Sequence, residues 1–136
     1  MPNPQSESVA NQIGASLRKA GGEELYQSVY QDKVRKGTTL LTEIHRRQTP
    51  MRIMNGQAVA GVTWASEVRS QQSIGNPIQG IVIPADQNTT ATYAGGIMAD
   101  DPHADVAAEW LAFLKTQEAQ AVYNKYGFHS IQDSSN

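Results

Sequence analysis

Apolar positions first recur at helical spacing. Val9, Ile13 and Leu17 follow one another at i, i+4 until Gly21-Gly22 interrupts the pattern. Ser6 or Ser8 stands where a hydroxyl can accept from the free amides of a first helical turn. A second amphipathic stretch, residues 23–34, sets Leu25 and Val29 beside Tyr26 and Tyr30. Its Lys33, Arg35 and Lys36 fall at the end where cations suit the helix dipole, and Gly37 breaks it. Residues 38–44 (TTLLTEI) read either way: β-branched content favours a strand, while the threonine and glutamate spacing could open a helix. Pro50 suits a first turn, and Met51, Ile53 and Met54 form a short helix closed by Asn55-Gly56.

Beyond that point the pattern changes. Residues 58–63 are a plain run of alanine, valine and glycine that ends at Thr63 and Trp64, which predicts a buried strand with a polar carboxyl end. A short helix over 65–72 and a second strand over 78–83, ended by Pro84, come next. A third extended run covers 89–98, with Gly95-Gly96 inside it. Two helices close the chain, 101–115 with Val106, Ala107, Trp110, Leu111 and Leu114 on one face, and 117–126 with Ala119, Val122, Tyr123 and Tyr126. Helices alternating with short apolar runs predict an α/β fold: a three-layer, sandwich-like lobe with a mixed, mostly parallel sheet flanked by helices. Residues 1–128 are expected to form one domain and 129–136 a disordered tail. Ligands of such sheets bind beyond the strand carboxyl ends, which singles out Thr63-Trp64.

Composition narrows the function. Residues of the hydrophobic class make up 39% and charged residues 18%, ordinary for one globular domain of 136 residues. A net charge of −2 gives no global attraction to nucleic acid or an anionic membrane. The absence of cysteine removes disulfides, thiolate zinc sites and cysteine nucleophiles together. No apolar run reaches the length of a membrane span, and MPNPQSES has neither the basic start nor the apolar core of a signal peptide. His45, His103 and His129 lie far apart without metal-ligand spacing, and no nucleophile elbow or nucleotide fingerprint occurs. No catalysis, metal or cofactor is expected.

One polar stretch stands out. His45-Arg46-Arg47-Gln48-Thr49-Pro50 crowds two guanidinium groups, an imidazole and a hydroxyl just before a proline-initiated helix. It reads as a solvated basic loop or as an anion site, in which helix amides, Thr49 and a guanidinium such as Arg46 converge on one negative group.

Four segments carry a resemblance. N-P-x(4)-V-A-x-x-I-x-x-x-L-x-K-A-G spans residues 3–21, and N-G-x-A-x-A-G-V-T-W-A-S-E spans 55–67. The pair IVIP…ATYAGGIM occupies 81–98, and residues 100–128 run from D-D-P-H to E-A-Q-A-V-Y-x-K-Y-G-F. Together they resemble the extracellular solute-binding proteins of ABC importers, in the molybdate-binding-like branch. The resemblance implies half of a type II periplasmic binding protein fold. Residues 1–92 are similar to its second lobe, and 93–128 to the C-terminal strand and helices that pack on the first lobe.

It also implies a small oxyanion or other anionic solute. That solute would be held by backbone amides near Ser8 and Val9, by Thr63 and by the Tyr93 hydroxyl. Arg46 and Thr49, outside the usual molybdate pattern, are expected to approach the same sheet edge. The implied partner is an ABC transporter permease and the implied location periplasmic or extracellular; a chain complete as given, without a signal peptide, would be cytoplasmic. The alternative is a stand-alone lobe acting as a dimeric interaction or regulatory protein, because an isolated chain would hide the apolar face of its last helices in a homodimer.

Overall fold

The computed structural model describes residues 1–43 and 47–130. Its regular elements, in chain order, are α1 (Val9–Gln27), a π-helical turn (Ser28–Asp32), α2 (Lys33–Arg35), α3 (Gln48–Met54), α4 (Ala65–Ser73), α5 (Ala104–Leu114) and α6 (Gln117–Lys125). The chain divides into two compact units, Met1–Ala91 and a second that begins at Thr92.

The first unit is organised by a break inside α1. Gly21 (φ −156°) and Gly22 (φ 69°) leave helical geometry, so the helix is two arms joined at a bend. The positive φ of Gly22 is open to glycine at little cost, which is why the Gly-Gly pair is the turning point. The arms lie close: a β-carbon on Gly14 would come within 3.1 Å of the Tyr26 ring. Arg18 bridges them, its guanidinium 3.7 Å from the Tyr26 ring centroid and its Nε donating to Glu23 Oε2 at 2.6 Å. Val9, Ile13 and Tyr30 form the buried centre, and Leu17, Tyr26, Val29, Leu41, Val62 and Trp64 pack around it.

The expected sheet is not there. Among the described residues no strand occurs, and helices are the only regular structure, which overturns the α/β reading with its mixed, mostly parallel sheet and half-binding-protein architecture. Residues 58–63, 78–83 and 89–98 are irregular and lack ladder partners. Their side chains stand largely in solvent, with Val59 101% exposed and Ile81 87% exposed, so the run expected to be a buried strand is not buried. Strand propensity is mostly a preference for packing on a pleated, half-buried surface; apolar β-branched residues alone do not create a ladder. The end of the first run is drawn inward, where Val62 and Trp64 pack on the core cluster. So is the start of the third, where the half-buried Thr89 hydroxyl pairs with that of buried Ser16 at 3.0 Å.

The second unit is small. α5 and α6 pack together, and Thr116 caps α6 by accepting from Ala119 N. Its C-terminus closes with Phe128 N donating to Tyr123 O over the left-handed Gly127. Phe128 meets Tyr123 and Tyr93 edge-on, with centroids 6.0 and 6.1 Å apart. Ala119 is the one side chain of this unit that is buried among the described residues. The tail expected to be disordered lies outside the described residues from position 131 onward.

Candidate functional site

Ser8 occupies the N-cap position of α1, but its side chain makes no capping hydrogen bond, and the first turn holds no acidic residue. The positive end of this helix is therefore not compensated from within its first turn. Ser6, the other cap considered, is exposed in the preceding turn, where its amide donates to Asn3 O. Val9 is 5% exposed and is core, so only its backbone can serve a ligand.

α3 brings Thr49 to the same unit. Thr49 and Pro50 are buried in its first turn. Thr49 lies on the backbone of Gly61: a β-carbon there would fall 2.4 Å from Thr49 Cγ2. Two residues later, half-buried Thr63 sits between Val62 and Trp64, both packed on the cluster that contains Val9. Trp64 is the N-cap position of α4, with extended backbone and no side-chain cap. Thus Val9, Thr49 and the 61–64 segment are tied together through shared packing.

Arg46 and Tyr93 are the remaining expected residues. Arg46, together with His45, lies outside the described residues. Tyr93 belongs to the second unit, where it is 70% exposed against Phe128. The convergence expected along one sheet edge has no sheet edge to use among the described residues.

Other groups emerge that spacing did not point to. Glu7, 6% exposed, receives hydrogen bonds from Asn3 N and from the Thr42 hydroxyl. Gln71 is buried in α4 and joins Glu67 to Asn76, donating at 2.8 Å and accepting at 2.6 Å. Arg52 donates from Nη1 to Leu41 O at 2.8 Å and lines a shallow cavity of about 390 Å³ with Leu40, Gln48, Met51, Asn55 and Gln57. The Asn-Pro pair at positions 3 and 4 signals a turn ahead of α1, the one local hint of Glu7's setting. Nothing in the sequence near Glu7 signals Thr42.

Tyr30 is the buried group with the most perturbed chemistry. Its hydroxyl has no hydrogen-bond partner among the described residues, and its pKa is pushed up to about 12, first by burial and then by Tyr26 and Glu7. It stays a neutral phenol at any physiological pH. Among the described residues, no group of three or more His, Asp or Glu side chains is placed to hold a metal ion.

The family model for bacterial extracellular solute-binding proteins matches residues 1–129. The chain belongs to that family. No curated protein and no solved structure matches it. A solute-binding role follows for the chain in general terms, and the family is an extracellular one. Among the described residues no helix is long and apolar enough to cross a membrane. Backbone amides at the start of α1 and the hydroxyls of Thr49 and Thr63 are neutral hydrogen-bonding groups of the first unit. Such groups bind without introducing a full charge.

Proposed function

We propose that the chain is a non-catalytic solute-binding module of an ABC uptake system and takes a small oxyanion or similar anionic solute, molybdate-like in size and charge. The observation that carries this reading is the start of α1, which has neither an acidic residue in its first turn nor a capping side chain. The helix dipole favours an anion at this end, where the Ala10 and Asn11 amides donate to Glu7 O and Ser8 O. Thr49 and Thr63 belong to segments tied to Val9 through Gly61 and the core cluster, and this reading assigns them as hydroxyl donors. The proposal rests on these residues of the first unit. A bound solute would be passed to a permease, the partner expected from the resemblance.

Calorimetry with molybdate, tungstate, sulfate and phosphate tests it. The open setting excludes little water, so dissociation constants on the order of millimolar are expected. Heats indistinguishable from dilution for all four anions would defeat the anion reading.

A second reading is favoured by one observation. Val106, Trp110 and Phe113 lie along α5 at i, i+4 and i+7 and are 59%, 59% and 42% exposed. An apolar stripe of this kind is characteristic of an interaction surface. A homodimer through α5 would cover it, in keeping with a lobe that works as an interaction protein.

A further inference from the structure

Thr42 is 2% exposed although it lies in no helix and in a polar stretch between α2 and α3. A polar side chain is buried so completely only when hydrogen bonds replace its water. Its hydroxyl bonds to Glu7 Oε1, a carboxylate itself 6% exposed that also accepts from Asn3 N at 3.2 Å. The backbone around Thr42 is held on both sides. Thr42 N donates to Met1 O at 2.9 Å, Leu41 O accepts from Arg52 Nη1 at 2.8 Å, and Glu43 N donates to Gln48 Oε1 at 2.6 Å. The last two bonds reach into α3, and Glu7 immediately precedes Ser8 and Val9 at the start of α1.

We propose that Glu7 and Thr42 form a clasp that positions the start of α3 against the start of α1, with Glu7 as a positioning residue for the solute site. This inference rests on the anion reading above for its function, while the clasp itself stands on the hydrogen bonds. Thirty-four residues separate Glu7 from Thr42, and no helix bridges them directly. Without the clasp, the start of α1 keeps its apolar contacts through Val9, and the remaining bonds of residues 41–43, to Met1 O, Arg52 and Gln48, do not reach Glu7. Apolar packing is non-directional and tolerates small displacements, whereas a charge-assisted hydrogen bond fixes direction as well as distance. The clasp therefore supplies orientation that the core cannot.

Three substitutions in the full chain separate this role from simple packing. Thr42→Val keeps the shape and removes the donor; Thr42→Ser keeps the donor and removes a methyl; Glu7→Gln keeps an acceptor and removes the charge. Limited trypsin digestion is read by mass spectrometry as the cleavage rate after Arg47, at the N-cap of α3, relative to cleavage after Lys115 in the second unit. When opening is fast relative to cleavage, that ratio follows the local opening equilibrium. Loss of a hydrogen bond to a charged group predicts a rise of about tenfold or more in Thr42→Val, with an intermediate rise in Glu7→Gln. Thr42→Ser should stay near the unchanged protein. Equal rates for Thr42→Val and the unchanged protein, or a larger rise in Thr42→Ser than in Thr42→Val, would overturn the clasp.

Molybdate calorimetry on the same set reads the functional half. Affinity should fall severalfold in Thr42→Val and recover in Thr42→Ser. Unaltered affinity in a Thr42→Val protein whose α3 start has opened would overturn the positioning role. Absence of molybdate binding to the unchanged chain would instead count against the anion reading, with the digestion ratios still deciding the clasp.

Discussion

Thr49 sits on the backbone of Gly61 so closely that a β-carbon at Gly61 would lie 2.4 Å from Thr49 Cγ2. Real β-carbon contacts are never that short, and Thr49 is itself 8% exposed, so its methyl has little room to retreat. Gly61→Ala should destabilise the protein by about 1–3 kcal/mol, the usual cost of overpacking. Adding Thr49→Ser, which removes the clashing methyl, should recover most of that loss. Denaturant midpoints of the two variants check this. A Gly61→Ala midpoint equal to that of the unchanged protein would show that the 61–64 segment is not held against α3.

Tyr30 makes stability depend on alkaline pH. In the folded chain its pKa is about 12, above the ordinary phenol value, and burial is the main cause. Below the unfolded-state value near 10 both states are protonated and the contribution is constant. As pH rises from there toward the folded value, the unfolded chain releases the proton first and stability falls, by roughly 2–3 kcal/mol in all. The hydroxyl is unpartnered among the described residues, so Tyr30→Phe should cost little at neutral pH. It should also remove this part of the alkaline loss. Unfolding titrations at pH 8 to 11 of the two proteins measure the difference; parallel curves would contradict the assignment.

Trp110 and Phe113 stack at 5.5 Å and 28° on the exposed face of α5. If that face is a dimer interface, sedimentation at micromolar concentration should give twice the monomer mass, and Trp110→Glu should give the monomer mass with helix content unchanged. A monomer for the unchanged chain removes the dimer reading.

The helices were legible because their information is local. Val9, Ile13 and Leu17 repeat within a few residues, and Gly21-Gly22 marks the bend directly. The sheet was misread because strands depend on partners. Val59, Ile81 and Val82 carry the right side chains, yet nothing in a single run says whether another run lies beside it. The same reason hid Glu7 and Thr42, each unremarkable within its own stretch. Residues 38–44, which read either way, are neither helix nor strand through Glu43: long-range hydrogen bonds, from the Thr42 hydroxyl to Glu7 and from Arg52 to Leu41 O, decide their path. The expectation for Thr49 and Thr63 rests on the proline-initiated helix and the polar end of an apolar run, which are local features too.

The bend at Gly21-Gly22 has a kinetic consequence. It lets Ile13, Gly14, Tyr26 and Tyr30 meet across a short loop, and closing a short loop loses little chain entropy. Contacts of this kind form early, on the microsecond scale of helix and short-loop events, whereas Val62 and Trp64 must return across some thirty residues. Refolding should therefore begin at the bend. Ile13→Val is expected to slow refolding by most of its effect on stability, and Val62→Ala to act chiefly on the unfolding rate. Stopped-flow folding and unfolding of the two variants measures this partition, and the reverse pattern would move the nucleus to the 61–64 segment.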